Sequence, residues 1–256
     1  MYLYNLSLQK PTEIYQSITG SFTAPKKHEI IFSKGTILEL CSLSSTTGKL
    51  ETLISKELYS QIRKISPFRL SGNKKDSIII LSDSGKISIL EIENNTLNII
   101  KIHQETYGKS GCRRITPGEY IGIDPRGRAI MIGAIEKQKF VYIMNRDNEN
   151  KMTISSPLEA HKNNVICYDL CGLDVGYYNP LFCAIEVDYG NFDDDDSFVN
   201  TGILYKNLTY YEMELSLNYV IRKVSLKIDK SANLLIPIPI YGNVNSSNNG
   251  GVLVFH

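Results

Sequence analysis

Short apolar segments separated by polar turns recur along the chain and predict β-strands. Residues 78–81 (IIIL) and 129–132 (AIMI) are apolar at consecutive positions, whereas residues 223–228 (KVSLKI) alternate between polar and apolar. An alternating strand has one face in water, and a fully apolar strand is covered on both faces. No segment of ten residues shows convincing helical periodicity, so we predict an all-β protein.

The predicted strands fall into groups that repeat at a constant period. The third strand of each group starts at Thr36, Lys86 and Lys139, so successive starts lie about 50 residues apart. Sheet-sized repeats of this period indicate the blades of a WD40-like β-propeller. The predicted blades lie near residues 13–56, 62–106, 119–155 and 165–228, with a partial fifth blade from residue 233. A parallel sheet would also bury both faces of its strands, but it requires crossover helices.

Two segments need interpretation beyond this pattern. Leu58, Ile62 and Ile65 have helical spacing, but Pro67 would break a helix, so we favour a strand after Gln61. Residues 250–256 indicate a turn followed by a strand that has just begun. We therefore expect the chain to be the front part of a longer protein.

Composition narrows the class of protein. The 256 residues are 42% hydrophobic and 21% charged, which suits a globular protein with a large core. The net charge of +1 provides no global attraction for nucleic acid. No apolar run approaches the roughly 20 residues of a membrane span, so we predict no membrane contact. Of the five cysteines we expect four to be buried thiols and only Cys112 to be exposed.

The sequence contains no reactive constellation. None of the four histidines lies at metal-ligand spacing from cysteines or carboxylates, and no nucleophile, P-loop or dinucleotide motif occurs. The acidic run 193–196, in an insertion at 189–201, lacks the ligand spacing and turn glycine of a calcium loop. We interpret that insertion and residues 243–251 as flexible loops. We predict no catalytic site, no metal, no cofactor and no small-molecule substrate.

The polar segment from His103 to Arg114 interrupts the strand pattern between the second and third blades. Function tends to lie on loops that a rigid scaffold carries, so this link is the best candidate contact surface. RNA is one alternative partner, through Lys109, Arg113 and Arg114. Three phosphate contacts would weaken about forty-fold between roughly 50 and 200 mM salt, so such binding would be weak. We favour the other alternative, in which the two arginines bond to carbonyls or carboxylates and order the link.

Five long motifs carry a family resemblance. They are, in order, MYLYNLSLQ, SDSGKISILE, HQETYGKSGCRRITPG, AIEKQKFVYIMNRD and TISSPLEAHK. From Met1 to about Ile240 the chain resembles the N-terminal region of the splicing factor 3b subunit 3 family. Damage-specific DNA-binding protein 1 and the largest cleavage and polyadenylation specificity factor subunit belong to the wider family. They are similar in strand layout but lack the wording of the third and fourth motifs.

The resemblance implies four blades, and part of a fifth, of a seven-bladed first propeller. It also implies a non-catalytic nuclear scaffold subunit of the splicing factor 3b complex of the U2 small nuclear ribonucleoprotein, which supports branch-site recognition. The implied partners are the helical-repeat subunit, the smallest subunit and other spliceosomal proteins, with RNA contact at most indirect or weak. The alternative is a propeller adaptor of another assembly, namely a ubiquitin ligase, a cleavage factor or a transcription co-activator.

The resemblance assigns no contact residues, so we choose candidates from the polar link and the nearby AIEKQK turn. They are His103, Lys109, Arg113, Arg114, Glu136, Lys137, Gln138 and Lys139.

Overall fold

A computed structural model describes residues 6, 8–108, 112–149, 151–190, 205–240 and 250–256. The regular structure of these residues consists of nineteen β-strands in antiparallel sheets. None of the described residues forms a helix long enough to cross a membrane.

The first two sheets are four-stranded meanders in which each strand pairs with the next along the chain. The first contains β1 (Gln16–Gly20), β2 (Glu29–Lys34), β3 (Ile37–Leu43) and β4 (Leu50–Glu57). The second contains β5 (Ile62–Phe68), β6 (Ser77–Ser82), β7 (Lys86–Ile92) and β8 (Ile99–Thr106).

The next two sheets repeat the meander, and a fifth begins after them. The third contains β9 (Tyr120–Ile123), β10 (Ala129–Gly133), β11 (Lys139–Arg146), β12 (Met152–Ile154) and the short β13 (Leu158–Glu159), which also pairs with β11. The fourth contains β14 (Val165–Leu173), β15 (Leu181–Asp188), β16 (Lys206–Glu214) and β17 (Tyr219–Ile228), and the last contains β18 (Leu234–Ile238) and β19 (Gly251–Phe255).

The core lies between the sheets. One apolar cluster joins the first sheet to the second, and others join the second to the third, the third to the fourth and the fourth to the fifth. An inner strand therefore has a neighbouring sheet on each face, and every residue of β6 and β10 is buried. The outer strand β17 is largely exposed. This side-by-side stacking of meanders is the arrangement of propeller blades, as the sequence predicts.

The innermost strands approach closely where blades meet. A Cβ atom on Gly172 in β14 would lie only 2.0 Å from the carbonyl oxygen of Ile123 in β9. No side chain fits in that space, so glycine is required for the third and fourth blades to pack at this depth.

The strand after Gln61 is confirmed as β5. Pro67 lies within it, opposite Ile78 of β6. The strand tolerates proline because β5 is the innermost strand of its sheet and pairs on one side only, so no ladder hydrogen bond is lost on the other side.

The predicted boundary of the polar link is wrong at its start. His103 lies within β8, opposite Ile89, and β8 continues to Thr106. The strand is shifted along the chain because the turn before β8 includes Leu97, which the sequence pattern assigns to the strand. Leu97 adopts φ 54°, and its N–H donates to the carbonyl of Glu93 at 3.1 Å. A polar outer strand has little apolar alternation, so sequence alone does not separate its end from a loop.

Three predictions fall outside the described residues or beyond the chain. The acidic run 193–196 and residues 243–249 are not among those described. The total of seven blades stays a prediction.

Candidate interaction site at the link between the second and third blades

One arginine of the second blade, Arg63, holds the link between β8 and β9. Arg63 in β5 has a buried side chain, and its guanidinium donates to the carbonyls of Thr116 at 3.2 Å and Arg113 at 3.2 Å. The same group donates to Glu119 Oε2 at 3.1 Å and lies 3.4 Å from Asp83 Oδ1. A planar group with five donors therefore holds the second part of the link, from Arg113 to Glu119.

Backbone geometry adds a second constraint on the link. Gly118 has φ 121°, which residues with a side chain rarely adopt. A Cβ atom there would lie 2.4 Å from the hydroxyl oxygen of Tyr107, which is at the other end of the link. Burial raises the pKa of this tyrosine, so its hydroxyl stays protonated.

Arg113 and Arg114 are exposed but paired with carboxylates. The Arg113 guanidinium donates to Glu119 Oε1 and Oε2, each at 3.0 Å. Arg114 donates from Nε to Glu136, and its carbonyl accepts from the Glu136 N–H at 2.9 Å. The structure thus agrees with the alternative in which these arginines order the link.

Glu136 lies at the turn between β10 and β11. It is buried, which corrects its prediction as a surface contact. The hydroxyl of Tyr189 and the guanidinium of Arg114 both donate to its carboxylate and hold its pKa below the usual value. Its backbone also forms a bridge to Ile166 of the fourth blade. Glu136 therefore joins the link to the third and fourth blades.

Lys139 is also buried, which corrects its prediction as a surface contact. Its ammonium group pairs with Glu186 of β15, and it lies 5.4 Å from the ring centroid of Tyr211. The Tyr211 hydroxyl donates to Glu186 Oε1 at 2.7 Å. Because these partners belong to the next blade, Lys139 acts across the seam rather than on a surface.

The remaining candidates separate into three situations. Lys137 is exposed at the tip of the turn, with φ 71°, and Gln138 beside it is half-buried. His103 is half-buried in β8, and its Nε2 lies 3.6 Å from Glu105 Oε2. It pairs with Ile89 of β7, so it belongs to the second blade and not to the turn that carries Lys137 and Gln138. Lys109 lies outside the described residues.

Sequence reasoning misses Arg63, whose guanidinium donates to Arg113, Thr116 and Glu119 of the link. The available signal is its position between Ile62 and Ile65, two apolar residues that are both buried in the fold. A cation in that position requires partners in the fold.

The site presents mainly paired charges. Among the residues that the structure describes here, the exposed side chains are those of Cys112, Arg113, Arg114, Ile115 and Lys137. Among the described residues, no group of three or more histidine, cysteine or carboxylate side chains is placed to hold a metal ion.

Cys112 is exposed, and the other four cysteines are buried free thiols, as predicted. Burial raises the pKa of Cys167 to about 12.

A comparison with protein-family models identifies the fold. The model described as "RSE1/DDB1/CPSF1 first beta-propeller" matches residues 13–256. The chain belongs to this family. The stacked meanders are therefore blades of an RSE1/DDB1/CPSF1-type first propeller.

Curated proteins with similar sequences carry names that refer to splicing. "Splicing factor 3B subunit 3" of Drosophila melanogaster and "Spliceosome-associated protein 130 A" of Arabidopsis thaliana are each 50% identical over 239 residues, which is 93% of this chain. "Probable splicing factor 3B subunit 3" of Dictyostelium discoideum is 48% identical over 265 residues, covering 99% of the chain. The chain spans about a fifth of the length of these relatives, 20–21%.

Proposed function

We propose that this propeller belongs to a non-catalytic scaffold subunit of the splicing factor 3b complex, in the U2 small nuclear ribonucleoprotein. The observation that carries the proposal is identity of 48–50% across nearly the whole chain to proteins named as splicing factor 3B subunit 3. The family model alone covers relatives of several kinds, since its description joins three proteins. The splicing names of the relatives favour splicing over a ubiquitin ligase, a cleavage factor or a transcription co-activator.

The proposal extends to place and partners. We place the protein in the nucleus, in contact with the helical-repeat subunit and the smallest subunit of the complex. Branch-site recognition then depends on this propeller through protein contacts. The hydrogen bonds that hold residues 113–119 support this role, since a preorganised surface loses little conformational entropy on binding.

Within this proposal the contact surface is the link with the adjoining turn. Arg113, Arg114, Lys137 and Gln138 present it, and arginine is enriched at protein interfaces. Direct RNA binding here would be weak, because carboxylates already pair with the two arginines and offset their charge.

Affinity purification tests the proposal. The complete protein, tagged and expressed at its natural level, is recovered from nuclear extract treated with ribonuclease, and co-purifying proteins are quantified by mass spectrometry. We expect the helical-repeat and smallest subunits of splicing factor 3b in near-stoichiometric amounts. Recovery of cullin-ligase, cleavage-factor or co-activator subunits in their place would sink the proposal.

A further inference from the structure

A cleft of about 440 Å³ opens between the first and second blades. This volume is within the usual range of ligand sites, about 300–1,000 Å³. Its floor is aliphatic, formed by Leu58, Ile62, Ile80, Leu90 and Ile99. Leu58 and Ile99 are the partly exposed edge of the apolar cluster that joins these blades. The cleft is therefore an unfilled part of the core between the two blades.

The register of the third strands explains why this seam is open. In the third blade, Phe140 lies opposite Ile132, and Tyr142 lies opposite Ile130; all four belong to the cluster that faces the second blade.

The matching pairs of the second blade have smaller side chains. Ser88 lies opposite Ile80, and Leu90 lies opposite Ile78. A serine and a leucine thus stand where the third blade has a phenylalanine and a tyrosine.

The mouth of the cleft is basic. Lys56, Lys86 and Lys101 line it together with the strongly exposed Tyr59, and no carboxylate is among the lining residues. Lys101 donates to Gln104 at 2.9 Å. Within the part of the chain that the structure describes, Lys56 and Lys86 have no ion-pair partner. Two neighbouring acids are not lining residues: Asp83 lies against Arg63, and Glu57, next to Lys56 in the chain, accepts the N–H of Tyr59.

We propose that this cleft binds an acidic peptide segment that carries a large apolar side chain. The apolar side chain occupies the aliphatic floor, and flanking carboxylates meet the lysines at the mouth. This division into an apolar centre and a charged rim is that of protein interfaces.

Single-stranded RNA fits the cleft less well. Binding of RNA relies on aromatic platforms on which successive bases stack. The floor residues are all aliphatic, and the one aromatic lining residue, Tyr59, is at the rim.

A selection experiment tests the occupant. A phage library that displays random ten-residue peptides is panned on the complete protein, with prior depletion on the Ser88→Phe variant. That variant inserts the side chain of the third blade's equivalent position and fills the cleft. We expect enriched peptides in which Asp or Glu flank Leu, Ile or Phe. No enrichment, or enriched peptides without acidic residues, would overturn the proposal.

Affinities of the enriched peptides then locate the site. We expect binding to weaken about tenfold or more in Ser88→Phe and in Lys56→Glu/Lys101→Glu. The matched control, Lys49→Glu/Lys230→Glu, makes the same charge change at exposed lysines outside the cleft and should bind as the wild type does. Circular dichroism and thermal melting verify that each variant is folded. Equal binding to Ser88→Phe and wild type would contradict the proposal.

Fluorescent decauridine provides the last arm. If the wild type binds this RNA, Ser88→Phe abolishes that binding and no acidic peptides are enriched, the cleft is assigned to RNA. That result would overturn the peptide proposal. Failure of decauridine to compete with the enriched peptides supports the proposal.

Discussion

The two seams on either side of the second blade are built differently. Between the second and third blades, Phe140 and Tyr142 pack into the core, and the link anchored by Arg63 crosses the seam. Between the first and second blades, Ser88 and Leu90 leave a cleft. Repeated blades of one backbone pattern can therefore pack into a closed seam or leave an open groove, according to the size of the side chains on one strand.

The largest effect is expected from removing the anchor of the closed seam. Arg63→Met leaves the carboxylates of Glu119 and Asp83 without their buried cation, together with unpaired link carbonyls. We expect a loss of about 3–5 kcal/mol in the free energy of unfolding, measured by urea denaturation. Arg113→Ala removes an exposed cation from the same Glu119 and should cost only about 0–1 kcal/mol. Equal losses in the two variants would refute the anchoring role.

Exchanging the side chains that distinguish the seams tests the comparison itself. Phe140→Ser opens a cavity in the closed seam, and we expect it to cost about 2–4 kcal/mol, since Phe140 is partly buried. Ser88→Phe enters space that already exists and should change stability by less than about 1 kcal/mol. Thermal denaturation of both variants measures this, and a larger loss from Ser88→Phe would show that the cleft is not open.

The link backbone is the next point of comparison. Gly118→Ala imposes a side chain at φ 121° and against the Tyr107 hydroxyl, so we expect a loss of about 1–3 kcal/mol. Gly48 has φ 66° but open space around it, so Gly48→Ala should cost about 1 kcal/mol. If the two variants melt at the same temperature, the contact with Tyr107 does not constrain the link.

A smaller effect is expected from the pH dependence of stability. The pKa of Glu136 is lower in the folded than in the unfolded state, so its contribution is present above the unfolded pKa and is lost as pH falls through the folded one. The stability difference between wild type and Glu136→Gln should therefore narrow as pH falls below about 4.5. Urea denaturation across that range measures the difference, and a constant difference would contradict this assignment.

Sequence predicts the blades well because their signal is local. Strands such as β6 and β7 show their burial in a few consecutive residues, and Lys86 starts β7 where the repeat predicts it. The site is harder, since its partners are distant in the chain. Lys139 meets Glu186, and Arg63 meets Glu119, across seams that no local pattern reveals. Polarity alone therefore marks Glu136 and Lys139 as surface residues, and the fold buries both.

Site-specific photocrosslinking tests whether the closed seam presents a contact surface to a splicing assembly. A benzophenone amino acid replaces Lys137, or Lys230 as an exposed control, in the complete protein within the purified assembly. We predict crosslinks from position 137 to a subunit of splicing factor 3b and none from position 230. Crosslinks from position 230 alone, or from neither position, would contradict the account.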